Sequence, residues 1–87
     1  MRLIEQQMNE AIHNQAMWWS KDNTQVTFDT LHNISNISLH GNHIATYDHA
    51  NRVMVPNLKT LAEWPTRTTK SRLKALGVNV ETLKALE

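Results

Sequence analysis

The chain opens with a helical period. Ile4, Met8, Ala11 and Ile12 recur at i, i+4, i+7 and i+8, which draws one apolar stripe along a helix over residues 2–15. Glu5, Gln6, Asn9, Glu10 and His13 lie mainly off that stripe, and Glu5 complements the positive end of the helix dipole. Met17-Trp18-Trp19 closes the helix or sits just beyond it. Two adjacent tryptophans cannot both face one core, so one is expected under the sheet and the other partly exposed. Ser20 to Asn23 reads as a polar connection.

After this connection the period falls to two. Val26 and Phe28 alternate with Gln25 and Thr27, as in a half-buried strand. Ile37-Ser38-Leu39-His40 and His43-Ile44-Ala45-Thr46-Tyr47 flank Gly41-Asn42, a pair suited to a two-residue hairpin turn with positive φ. That register sets Leu39 against Ile44 and Ile37 against Thr46, with Ser38, Ala45, Tyr47, His40 and His43 on the opposite face. Arg52 to Val55 supplies a further pairing partner, with Val53 and Val55 on one face, and Pro56 stops it. Asn57 caps a short helix over Leu58–Glu63, whose Leu58, Leu61 and Ala62 face inward, and Pro65 ends it. Thr66 or Thr68 caps a last main helix running from about Thr68 to Leu76, with Leu73 and Leu76, and Thr69 or Lys70 one turn back, as its seam and Gly77 as its left-handed exit. Val80, Leu83 and Leu86 suggest a short helical tail. The expected class is a single α+β domain over residues 1–87. It has an N-terminal helix, a three-stranded antiparallel meander, a short helix and a basic C-terminal helix packed on one sheet face, with residues 78–87 as a tail.

Composition narrows the choices. Eighty-seven residues make one small core, and pairing of edge strands into a homo-oligomer would supplement it. With no cysteine there are neither disulfides nor thiolate metal sites. No apolar run approaches the roughly 18–20 residues of a membrane span, and the N-terminus lacks a signal-peptide pattern, so a soluble, cytosolic protein is expected. The histidines do not assemble a metal site. His40 and His43 would oppose each other across the turn, but His49 and Asp48 lie too far along the strand to complete one. No phosphate loop, nucleophile elbow or close carboxylate pair is present, so neither catalysis nor a cofactor is expected.

Charge changes the picture more. Residues 1–40 hold two basic side chains against four acidic ones. Residues 41–87 hold seven against four, and Arg67, Lys70, Arg72 and Lys74 form one cluster. Local potential, not net charge, steers anionic partners. Arg67, Thr69, Lys70, Arg72 and Lys74 bring cations and hydroxyls to a helix start, the chemistry that grips phosphate. The plain alternative is a solvated helix face. Trp64 stands beside this cluster and is expected to pack under the helix, with stacking on a base as the other reading. Trp18, Trp19 and Trp64 are the candidate anchors for a protein partner. The order helix, strands, helix is also that of double-stranded-RNA-binding domains, an analogy of topology without their motifs. The last two helical segments, joined at Gly77, outline a helix-turn-helix, but Glu81 and Glu87 make its second helix a poor groove reader.

The strand ending Leu39-His40-Gly41-Asn42 and the later block Trp64-Pro65-Thr66-Arg67-Thr68-Thr69-Lys70-Ser71-Arg72-Leu73 resemble a group of short bacteriophage proteins. The group shares a Leu-His-Gly-Asn hairpin and a Trp-x-Thr-x-Thr-Thr-x-Ser-Arg-Leu helix start. The resemblance covers about residues 23–77 and leaves out the first helix and the tail. Lys74 departs from the small polar residue expected there, and the Trp64-Pro65 pair is a variation. It implies a phage gene product working in the cytoplasm of a bacterial host. The function expected is nucleic-acid binding through the Thr-rich basic helix start. The alternative is modulation of a host nucleoid, transcription or defence protein.

Overall fold

A computed structural model of the chain describes residues 2–78. Eight elements follow one another: α1 (Leu3–His13), β1 (Trp18–Lys21), β2 (Thr24–Asp29), β3 (Ile34–Leu39), β4 (Asn42–Asp48), β5 (Val53–Pro56), α2 (Leu58–Glu63) and α3 (Arg67–Ala75). The expected tail helix lies outside the described residues.

The five strands form one antiparallel sheet in strict chain order. An expected count of three is therefore too low. The alternating segments near residues 25–28, 37–40, 43–47 and 52–55 already correspond to four strands. The fifth, β1, occupies the tryptophan pair and the connection expected to be polar. It has too few apolar residues to show alternation, and its pairing with β2 places it: Trp19 lies against Val26 and Trp18 against Thr27.

All three helices contribute to a core on one face of this sheet. Met8, Ala11 and Ile12 of α1, Leu61 of α2, and Leu73 with Leu76 at the end of α3 pack on Val26, Ile37, Leu39, Ile44 and Ala45. Leu61 alone of the expected α2 trio is buried; Leu58 and Ala62 are exposed, because a two-turn helix at the sheet margin has only a narrow buried side. Among the described residues, no helix packs on the opposite face. Across it runs a row in register, Trp18, Thr27, Asn36, Thr46 and Val55. Trp19 packs against the core while Trp18 stays 65% exposed, as the alternation of a strand requires.

The β3–β4 hairpin differs from its expected register by one residue. The turn residues are His40 and Gly41, with φ of 52° and 80°, and Asn42 starts β4. A turn with both central residues at positive φ matches the twist of the flanking strands. Leu39 pairs with Asn42 and Ser38 with His43. A bulge at Ile44 then brings Ile37 opposite Ala45. Burial accounts for the shift. The expected register would bury Thr46 and turn Ala45 and Tyr47 to solvent. The bulge buries Ile44 and Ala45 together, packs Tyr47 on the core and sends Thr46 to the open face. His40 and His43 consequently do not meet. His40 is in the turn. His43 joins an open-face chain in which Asn57 Nδ2 donates to its Nδ1 at 2.9 Å, its Nε2 meets Thr46 Oγ1 at 2.7 Å, and that hydroxyl donates to Asn36 Oδ1 at 2.9 Å.

The helix ends follow local chemistry. The Asn57 side chain accepts from the Thr60 amide at 3.1 Å, and Thr66 Oγ1 accepts from the Thr69 amide at 3.1 Å. At the end of α3 the Gly77 and Val78 amides return to the Lys74 and Leu73 carbonyls, with Gly77 at φ 90°. Gln15 closes α1 in the same way at φ 55°. A Cβ added at Gly41 would meet nothing within 4 Å, so Gly41→Ala tests the backbone term alone. Urea denaturation should show a loss of about 1–2 kcal/mol, the usual cost of a side chain in the left-handed region.

Candidate nucleic-acid interface

The basic block divides into two sides when it folds. On α3, positions 69, 72, 73 and 76 turn inward, and 67, 70 and 74 share the outer stripe. Arg72 is 4% exposed and Thr69 likewise 4%. Arg67 and Lys74 are exposed and Lys70 is half-buried. Of the five expected site residues, three are therefore placed together on one outer face, and two belong to the interior.

Arg72 is engaged on all sides. Its Nη1 donates to Glu5 Oε2 at 2.8 Å and its Nε to Thr24 Oγ1 at 3.1 Å. Ser71 Oγ donates to the same Glu5 oxygen at 2.6 Å. Glu5, 3% exposed, also accepts from the Arg2 amide through Oε1 at 3.4 Å. A buried ion pair needs hydrogen bonds at both ends: Thr24 accepts from the guanidinium and Ser71 donates to the carboxylate. This cluster joins α1, β2 and α3, and Asn9 adds a second tie by donating to the Ala75 carbonyl at 3.1 Å. Thr69 is committed as well: its hydroxyl lies 2.9 Å from that of Thr66. The Thr66 and Thr69 hydroxyls, expected to hold phosphate, instead build the helix start.

The spacing of the sequence holds a signal for the cluster. Glu5, expected mainly off the apolar stripe, is buried beside it, because Glu5, Met8 and Ile12 fall at i, i+3 and i+7. Arg72 lies between Thr69 and Leu76 on the seam of α3. Opposite charges on two inward faces point to a pair.

Two concavities border α3 and its start. One, of about 510 Å³, is bordered by Arg2 and Lys74, with Glu5, Ser71 and Ala75. The other, of about 350 Å³, lies between the β3–β4 hairpin tip and the corner joining α2 to α3. Leu39, Ile44 and Thr69 form its buried surface, and His40, Asn42 and Trp64 border it. Trp64 does not pack under α3; it is 53% exposed, because Pro65 and the Thr66 cap turn the chain away from the core before the helix begins. Nothing in the spacing of the sequence announced His40 and Asn42 as its neighbours, since the hairpin brings them there. Among the described residues, no group of three or more His, Asp or Glu could hold a metal ion, and no helix is long and apolar enough to cross a membrane.

Fold and surface together define an α+β domain whose described helices pack on one face of an antiparallel sheet, with the basic α3 among them. The chain belongs to a bacteriophage protein family, described as Kyanoviridae Gp96 protein, whose family model matches residues 1–84. The match takes in α1, which the motif resemblance leaves out. No curated protein and no solved structure matched the chain.

Burial alone would raise the Glu5 pKa, but hydrogen bonds from Ser71, Arg72 and the Arg2 amide outweigh it and hold the carboxyl below its ordinary value of 4.5. A depressed folded-state pKa stabilises above the unfolded value, and that contribution is lost as pH falls through the folded one. Urea titrations should show stability dropping below about pH 4.5, and more steeply in the wild type than in the Glu5→Gln/Arg72→Met double variant. Asp29 and Asp48 are also held low, by His32 and Asn51 respectively, and both proteins share that background slope. At neutral pH, Arg72→Ala alone should cost about 3–5 kcal/mol, because Glu5 is left buried without its partner, and the double variant should lose less.

Proposed function

We propose that this chain is a non-enzymatic phage accessory protein that binds nucleic acid through its phosphate backbone, in the cytoplasm of the infected bacterium. One observation carries this reading. Arg67, Lys70 and Lys74 share the outer face of α3, while Glu5, the acid in the adjoining groove, is already neutralised by Arg72. Seven residues of helix extend the stripe over about 10 Å, a length comparable to a few phosphates of one strand. Arg2 borders the same groove as Lys74 and extends the positive margin toward α1.

Phosphate contacts release counter-ions, so binding should weaken steeply with salt. Fluorescence anisotropy on labelled oligonucleotides over a salt series is the measurement. Arg67→Ala and Lys74→Ala should each lower affinity and each shallow the log–log salt slope by about 0.7–0.9, one phosphate apiece. Absence of binding at low salt to single- and double-stranded DNA and RNA would refute the proposal.

A second reading has its own observation. Met17 and Trp18 are adjacent, and both are more than 60% exposed. Tryptophan anchors are over-represented among binding hot spots, so a host nucleoid, transcription or defence protein is the alternative partner. Capture from nuclease-treated bacterial lysate checks it: a stoichiometric protein retained by the wild type should be lost with Trp18→Ala. Retention by both proteins would count against this surface.

A further inference from the structure

Two sequence motifs separated by more than twenty residues meet at one place in the fold. The hairpin tip Leu39-His40-Gly41-Asn42 and the segment from Trp64 to Thr69 border the same cleft of about 350 Å³. That volume is at the small end of ligand sites, which run from roughly 300 Å³. It suits one planar ring system. The chemistry of the walls is equally selective. Leu39 and Ile44 form an apolar floor. Trp64 offers an aromatic surface at the rim, and the imidazole of His40 and the amide of Asn42 bring hydrogen-bonding groups to the other side. Among the described residues, no carboxylate lines it. Thr66, which also borders the cleft, is the N-cap of α3, one residue before Arg67.

We propose that this cleft takes one unpaired base of a single-stranded nucleic acid, stacked on Trp64, while the phosphates run along Arg67, Lys70 and Lys74. The inference rests on the phosphate reading above and adds the strandedness of the ligand. A duplex keeps its bases stacked within and cannot deliver one to a side cleft without paying for unpairing. A single strand presents every base, and aromatic stacking accepts any of them. A cleft next to a stripe of positive charge thus selects single strands by geometry, with little demand on sequence. DNA and RNA share this chemistry, and the 2′-hydroxyl is what separates them.

The test compares labelled oligothymidine, oligouridine and an abasic oligodeoxynucleotide of equal length by anisotropy at fixed low salt. The wild type should bind oligothymidine or oligouridine about tenfold or more tighter than the abasic strand, the range expected for one stacked base. The stronger of the two bases-bearing strands identifies the natural chemistry. Trp64→Ala should lose that preference and bind all three strands alike, with its salt slope unchanged; Trp64→Phe should keep most of it. Trp64 is half exposed, and a thermal melt superimposable on the wild type shows that Trp64→Ala is folded. Equal wild-type affinity for the abasic and base-bearing strands overturns the cleft proposal and leaves the phosphate reading standing. An unchanged preference in Trp64→Ala also overturns it and reassigns the cleft to another occupant, such as a side chain of a partner protein. Failure of the wild type to bind any strand overturns both.

Discussion

A guanidinium and a carboxylate at 2.8 Å, both almost wholly removed from water, hold the two main helices of this domain together. Removing either charge from solvent is expensive, and the attraction between them offsets that cost only when the remaining donors and acceptors are met. Thr24 and Ser71 complete the set, so the interaction is defined in direction as well as distance. Such a pair adds little net stability over apolar packing, but it penalises any other arrangement of its elements. Its effect is to fix the rotation of α3. With Arg72 turned to Glu5, Leu73 and Leu76 reach the core and Arg67, Lys70 and Lys74 must face outward. The interior charge thus determines which surface is basic.

Much of this architecture is legible in the chain. The limits of α2, the Thr66 cap and the Gly77 exit follow from proline, hydroxyl and glycine positions, because those residues act over a single turn. The features that escape depend on partners distant in sequence. β1 has no alternation of its own and exists by pairing with β2. The hairpin turn lies one residue earlier than its Gly-Asn pair suggests, since burial of Ile44, Ala45 and Tyr47 outweighs the local preference of the loop. Arg72 looks like one cation among four until Glu5 is placed opposite it. The cleft beside Trp64 is assembled from a hairpin and a helical corner, and no local pattern in either reports the other. Of the expected site, the outer cations follow from helical spacing, and the seam of Leu73 and Leu76 carried back one turn reaches Thr69 or Lys70, of which Thr69 is the buried one; the inward turn of Arg72 depends on its distant partner Glu5.

The two faces of the sheet are differently ordered. One is packed by side chains from three helices. The other is held by polar side chains in register, with His43 bridging Asn57 at the start of α2 to Thr46 and Asn36 in the middle strands. The donor sense of that chain is set at one end: Asn57 spends its carbonyl oxygen on the Thr60 amide, so its amide nitrogen faces His43. The cap of α2 and the placement of the His43 ring are therefore one arrangement. The same helix leads into Trp64, so the open face and the cleft share a support.

The strand order also dictates when the molecule can be completed. Every pairing in the sheet joins neighbours along the chain, so each hairpin can close as soon as its second arm exists. Contacts this local form quickly. Glu5 and Arg72, by contrast, are 67 positions apart. On a ribosome the first helix is made early and then waits, with a carboxylate on its inner face, for almost the whole domain to be synthesised. Until α3 arrives, that face has no counter-charge and remains bound to water. The pair is thus the long-range closure of a domain whose sheet pairings are all local: the basic surface takes its orientation only when α1 and α3 meet.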